Sequence, residues 1–210
     1  MSADHRSGPR RRGDALVSAI LTATIEELSE HGYAGVTMDA VAQRAGASKA
    51  SLYRRWETRA ALVMDAVYRL VPDPTDLPDT GGLRGDLLAA LGQVATTLDG
   101  PAGSALRGML AEALPEREGM HDLRARSRGR NRELMAEVLR RAVLRGEIMA
   151  DAVVPTRLEV GAALLRNHLL FHGDPLDDAA LTAIIDDVLL PLFRTPPHRP
   201  GHPLGVGEAS

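Results

Sequence analysis

Residues 37–56, TMDAVAQRAGASKASLYRRW, carry two helix-capping residues, Thr37 and Ser48, with Gly46 between them. Thr37 is placed to cap a helix with Asp39 in its first turn and Val41 and Ala45 on one face. Gly46 breaks that helix, and Ser48 caps the next, on which Leu52 and Trp56 fall four residues apart. The span reads as two short helices joined by a Gly-containing turn of three or four residues. Such a pair is a helix-turn-helix, whose second helix enters the major groove of DNA.

On that second helix Leu52 and Trp56 form the apolar face, predicted to pack against the first helix and against Val17, Leu21 and Ile25 upstream. The opposite face presents Lys49, Ala50, Ser51, Tyr53 and Arg54. Small residues at 50 and 51 allow close approach to base edges. Lys49 is able to donate to guanine O6/N7, and the Tyr53 hydroxyl to reach a phosphate. Backbone N–H groups at the helix starts near Thr37 and Thr58 are further phosphate ligands. A plainer reading stands beside each: Tyr53 as packing, Arg55 as solvated surface, and Lys49, the one lysine among 25 basic residues, as an accident of composition.

From Gly32-Tyr33 through Val36-Thr37, Ala45-Gly46-Ala47-Ser48 and Leu52-Tyr53-Arg54-Arg55-Trp56 to Thr58-Arg59 and Leu62, the chain resembles the signature of the TetR family. It departs at Ala47, where valine is usual, at Trp56 for phenylalanine, and at Thr58-Arg59 for Ser-Lys. The resemblance implies DNA contacts from Thr37, Ser48, Lys49, Ala50, Ser51, Tyr53 and Arg59, to which the outward face adds Arg54. It also implies a C-terminal half that binds a small-molecule effector and dimerises.

The remaining sequence reads as helices alone, so the expected fold class is all-α, with a helix-turn-helix domain followed by a helical bundle. Residues 1–12, with Arg6, Arg10, Arg11 and Arg12, read as a flexible basic arm, either entering the minor groove or solvated. The DNA-binding domain spans 13–71, its first helix starting near Asp14 and stopping at Gly32. Residues 72–82, PDPTDLPDTGG, are the clearest linker. Helices are expected near 83–98, 102–113, 117–145, 155–172 and 176–193, making a domain of 83–194, with a disordered tail over 195–210. Net charge is −3, divided as +2 over residues 1–70 and −5 beyond, so the DNA-facing half is the basic one.

The second half carries no comparable motif. LEVGAALLRNHLLFHG (158–173) and ALTAIIDDVLLPLF (180–193) are apolar round much of their circumference. They offer a four-helix interface across a two-fold axis, with Leu158, Leu165, Leu169, Leu181, Ile184, Ile185, Val188 and Leu192 as interface or core residues. Only Phe171 and Phe193 of the aromatics lie beyond residue 70, which argues against an aromatic cage for cationic ligands. An aliphatic pocket fits better, with Leu106, Met109, Leu110, Met120, Leu164, His168 and Phe171 as candidates. His168 and His172 have two-histidine metal spacing but no supporting carboxylates, so packing is the preferred reading. The arginines of 124–132 spread around a helix and read as a solvated face.

Without cysteine the chain has no thiolate chemistry, and no GxSxG, P-loop, GxGxxG or acid/base cluster appears, so an enzyme is not expected. No catalytic residue, cofactor or metal is assigned. Neither a signal peptide nor a membrane span is visible, and a cytoplasmic location is expected. The expected function is a homodimeric repressor on a palindromic double-stranded DNA operator, released by a small molecule. An activator or a ligand-independent regulator is the alternative.

Overall fold

The computed structural model describes residues 8–113, 117–172 and 175–197, with side chains described outside 8–12, 113 and 117–128. Eleven α-helices and no strand occur among these residues. Helix α1 spans Gly8–Gly35, α2 Met38–Arg44, α3 Lys49–Tyr53 and α4 Arg59–Tyr68. After a short 3-10 turn come α5 (Leu83–Asp99), α6 (Pro101–Ala113) and α7 (Arg117–Leu144). Then follow α8 (Pro155–Leu158), α9 (Val160–Phe171), α10 (Asp178–Ala183) and α11 (Leu190–Arg194).

Local chemistry sets the first four boundaries. Gly32 takes φ +65, a left-handed value suited to glycine, and turns the chain out of α1. Thr37, Ser48 and Thr58 each sit in extended backbone and accept from the N–H three residues on, at Ala40 (3.1 Å), Ser51 (3.2 Å) and Ala61 (3.1 Å). Gly46, at φ +61, makes the turn between α2 and α3. Helix α1 begins at Gly8, ahead of the expected start at Asp14, so it takes in the latter part of the supposed arm. Residues 1–7, with Arg6, lie outside the described residues, as do 198–210 of the tail.

Two apolar clusters organise the chain. The first joins Ile20, Leu28, Val41, Leu52, Trp56 and Leu62 of α1–α4 to Ala102, Ala105 and Met109 of α6. The second joins α5, α7, α9, α10 and α11 around Leu87, Leu91, Leu139, Ile185, Leu189 and Phe193. Helix α6 therefore belongs by sequence to the second half, while Ala102, Ala105 and Met109 join it to the first cluster. Its approach to α1 is close: a Cβ on Gly108 would lie 2.6 Å from the Tyr33 ring.

Residues 72–82 are stitched down rather than loose. Asp73 caps the turn at Pro74–Asp76, accepting from the Thr75 N–H at 2.9 Å. Leu77 is buried, and Arg141 of α7 donates to the Leu77 and Pro78 carbonyls at 3.0 and 3.1 Å. The Asp86 carboxylate, 2% exposed, accepts from the Thr80 N–H and hydroxyl and from Arg145, each at 2.8 Å. Proline and glycine thus mark a turn-rich segment whose polar groups are satisfied by α5 and α7.

The expected helix over 176–193 contains a π-helical stretch, Ile184–Leu189, where the Leu190 N–H bonds the Ile185 carbonyl. Pro191 explains it. Proline has no N–H and crowds the carbonyl four residues back, and a widened turn relieves both. Arg84 of α5 clamps this stretch through a two-pronged pair to Asp186 at 2.7 and 2.8 Å. Of the eight residues expected at an interface or in the core, four are core: Leu165, Leu169, Leu181 and Ile185 are each under 10% exposed within one chain. Leu158, Ile184 and Leu192 are half-buried against that core, and of the eight only Val188 is exposed.

Candidate nucleic-acid interface

Helix α3 is five residues long, and its orientation depends on Leu52 and Trp56, which are 0% and 4% exposed. Trp56 is fixed further by its indole N–H, which donates to Asp65 of α4 at 2.7 Å. With those two side chains inward, Lys49, Ala50, Tyr53 and Arg54 are exposed together, and Ser51 is half-buried beside them. Tyr53 is 51% exposed, so packing is not its role in this chain.

Helix α2 is braced against α1 by charge. Arg44 donates to Glu27 at 2.6 Å and to Glu30 at 2.7 Å, with Glu26 at 3.6 Å. Glu27 is buried, and the hydrogen-bonded Arg44 supplies its counter-charge.

The polar groups of the face are partly engaged already. Lys49 pairs with Asp39 of α2, Nζ to Oδ1 2.5 Å. Ser48 donates to the Ser51 hydroxyl at 2.9 Å while accepting the cap bond. Thr37 is exposed, its oxygen accepting from Ala40, and its hydroxyl proton remains available to a phosphate oxygen. Arg55 donates to the Ser51 carbonyl at 3.2 Å, tying it to the helix end.

Arg59 does not stand on this face. Its guanidinium turns inward, paired with Glu112 of α6 and lying 4.4 Å from the centre of the Tyr33 ring. It also donates to the Tyr33 and Val36 carbonyls, each at 3.4 Å. The cause is geometric: the first residue of α4 meets α6 where the two halves join, and an acid and an aromatic ring wait there.

A second candidate site is a cavity between α4, α5, α6, α7 and α9. Leu106 and Met109 line it, as expected. Leu110, Leu164 and His168 do not, and Phe171 is 78% exposed, which removes it from any pocket in this chain. The side chain of Met120 lies outside the described residues. His168 stacks on His172, ring centres 4.6 Å apart. Met64, Val67 and Tyr68 of α4, Asn131 of α7 and Arg166 of α9 also line it and were not anticipated. Arg166 had left a signal, as the one arginine inside the apolar run of 158–173.

Known proteins resemble both halves. A family model for bacterial regulatory proteins of the tetR family matches residues 20–66. A model for tetracyclin repressor-like C-terminal domains matches residues 77–188. An uncharacterized HTH-type transcriptional regulator of Mycobacterium tuberculosis, Rv1556, is 34% identical over 173 residues, 82% of this chain and 85% of the relative. A protein of Mycobacteroides abscessus named DNA-binding transcriptional repressor TetR is 35% identical over 185 residues, 87% of this chain and 96% of the relative. The crystal structure of the TetR family transcription regulator SCO0332 matches with a TM-score of 0.72 at 31% identity, over 83% of this chain and 96% of that one. No helix among the described residues is long and apolar enough to cross a membrane.

Proposed function

Because the chain belongs to the TetR family of DNA-binding transcriptional regulators, we propose that it is a homodimeric repressor released from a palindromic operator by a small molecule. The carrying observation is the division of α3 into buried Leu52 and Trp56 and exposed Lys49, Ala50, Tyr53 and Arg54. That division puts two cations, a phenol and a small residue on one surface, the set that reads base edges and phosphates. One such helix touches few base pairs. Two copies reading half-sites a whole number of turns apart supply the missing specificity. The repressor named in Mycobacteroides abscessus supports repression as the sense of control.

In this reading residues 13–71 bind DNA, 83–194 bind the effector and the second copy, and the work is done in the cytoplasm. Helix α6 carries the signal, since it packs in the first cluster while lining the cavity through Ala102, Leu106 and Met109. An effector acts only through its difference in affinity for the DNA-competent and released conformers. The test is fluorescence anisotropy with the gene's own upstream DNA against random duplex over a salt series. Preference for the upstream DNA, weakening as salt rises, is expected. Equal affinity for both duplexes would sink the repressor reading.

A further inference from the structure

We propose that Asp39 of α2 determines sequence specificity by positioning Lys49 of α3, holding its ammonium off the DNA backbone and in place for a guanine edge. The proposal deepens the operator reading above and rests on it.

The two residues meet across the turn between the helices. Asp39 is the second residue of α2 and Lys49 the first of α3, and Nζ lies 2.5 Å from Oδ1. Their side chains are 65% and 56% exposed, so water screens the pair and the fold gains little from it. Its surroundings are those of the DNA face. The caps Thr37 and Ser48 flank it, and Ala50, Tyr53 and Arg54 are exposed on the helix that Lys49 begins. A carboxylate there repels every phosphate, whatever the sequence, and the compensation lies in what it does to Lys49.

A lysine is a compact charge on a flexible four-carbon stem. Left free, it settles on a phosphate and strengthens binding to all duplexes alike. Held by Asp39, its charge is balanced on the spot and contributes little to backbone attraction. The ammonium has three N–H donors. One goes to Asp39, and two remain for O6 and N7, the acceptors that guanine presents side by side in the major groove. The pair thus converts a backbone contact into a base contact. Arg54, exposed on the same face, still offers a guanidinium to the backbone.

The experiment is fluorescence anisotropy on the full chain with two DNAs, a random duplex and a duplex that the unmodified chain enriches from a randomised pool. On the random duplex Asp39→Asn should steepen the salt dependence by about 0.9, one more phosphate neutralised, and tighten binding about tenfold at low salt. On the enriched duplex the lost base contact offsets most of that gain, leaving binding about twofold tighter. The ratio of the two affinities therefore falls about fivefold, the low end of what one base contact discriminates. Asp39→Glu keeps a carboxylate within reach of the ammonium and should restore the slope and most of the ratio. In a Lys49→Met background Asp39→Asn should move neither. Methylating guanine N7 in the enriched duplex should weaken the unmodified chain at a position where Lys49→Met is indifferent.

An unchanged slope or an unchanged ratio in Asp39→Asn would overturn the proposal. The same shifts in the Lys49→Met background would overturn it too, because Asp39 would then act by its own repulsion. So would a guanine requirement that is identical with and without Lys49. If no duplex is enriched over the pool, the operator reading fails and the specificity role with it; enrichment with an unmoved ratio overturns the proposal alone.

Discussion

Arg59, the first residue of α4, and Glu112, in the last turn of α6, form an ion pair across the join between the two halves of the chain. The arginine side chain is 30% exposed and the glutamate 55%, so the two ends of the pair differ in worth. Glu112 loses only a solvent-screened partner when removed, and Glu112→Ala should cost about 0–1 kcal/mol. Arg59 also covers the Tyr33 ring and donates to two carbonyls, so Arg59→Ala should cost about 1–2 kcal/mol in urea unfolding. The same variant tests the family-based expectation that this position holds a phosphate. With the guanidinium committed to α6, the salt dependence of DNA binding should keep its slope, whereas loss of a phosphate contact would lower it by about 0.9.

Tyr53 and Asp39 make opposite predictions at the DNA face. Tyr53→Phe removes a hydroxyl from a half-exposed ring, so stability should stay within about 0.5 kcal/mol while operator affinity falls. A large loss of stability would mean that the hydroxyl serves the fold rather than DNA. Asp39 is an exposed carboxylate bound to Lys49, and it must be repelled by an approaching backbone. Asp39→Asn should tighten binding to all duplexes and free the lysine, at a cost of about 0.3–1 kcal/mol from the start of α2. Unchanged affinity in anisotropy would mean Asp39 lies away from DNA.

Acid should weaken the second half through two carboxylates. Hydrogen bonds from Arg140, aided by Arg141 and opposed by burial, hold Glu137 at about 2. Burial pushes Asp86 up, but the Thr80 donors and Arg145 together outweigh it and leave its carboxyl below the ordinary range. Both groups are depressed on folding, so their contribution is complete above the unfolded carboxylate values near about 4–4.5 and is lost as pH falls through the folded ones. For Glu137 the window runs from 4.5 down to about 2. Glu137→Gln should be less stable than the unmodified chain at neutral pH and should converge with it near the bottom of that window. An identical pH slope in urea unfolding for both chains would remove Glu137 from the account.

What was legible in the sequence was local. Caps at Thr37, Ser48 and Thr58 and the turn at Gly46 act within three or four residues, and the chain obeys them. The inward placement of Leu52 and Trp56 followed from helical spacing alone. The inward turn of Arg59 was not legible because its partner lies 53 residues away, and no local pattern announces Glu112. For Leu165 and Leu181 the choice between core and interface stayed open for a related reason: an apolar side chain on an apolar helix suits a core and a partner equally, and long-range packing chooses the core. The cavity was read only in part, since Leu106 and Met109 sit on a visible apolar face while Asn131 and Arg166 reach it from α7 and α9.

That division between core and surface yields the prediction for the proposed dimer. On α9 the exposed positions are Ala163, Asn167, Leu170 and Phe171, a stripe along one side, and Val188 is exposed on the helix that follows. Leu170 and Val188, at 39% and 41% exposed, are apolar without being needed by their own chain. Leu170→Glu and Val188→Arg should each leave the fold intact and shift the sedimenting species from dimer to monomer, because a second copy would have to bury an unpaired charge. Operator affinity should fall with the dimer, since a lone helix reads a single half-site. Ile185→Arg is the contrast: at 0% exposure it should unfold the chain rather than dissociate it. A dimer that survives both surface substitutions would move the contact off α9 and its neighbour, and would leave those apolar positions without a partner.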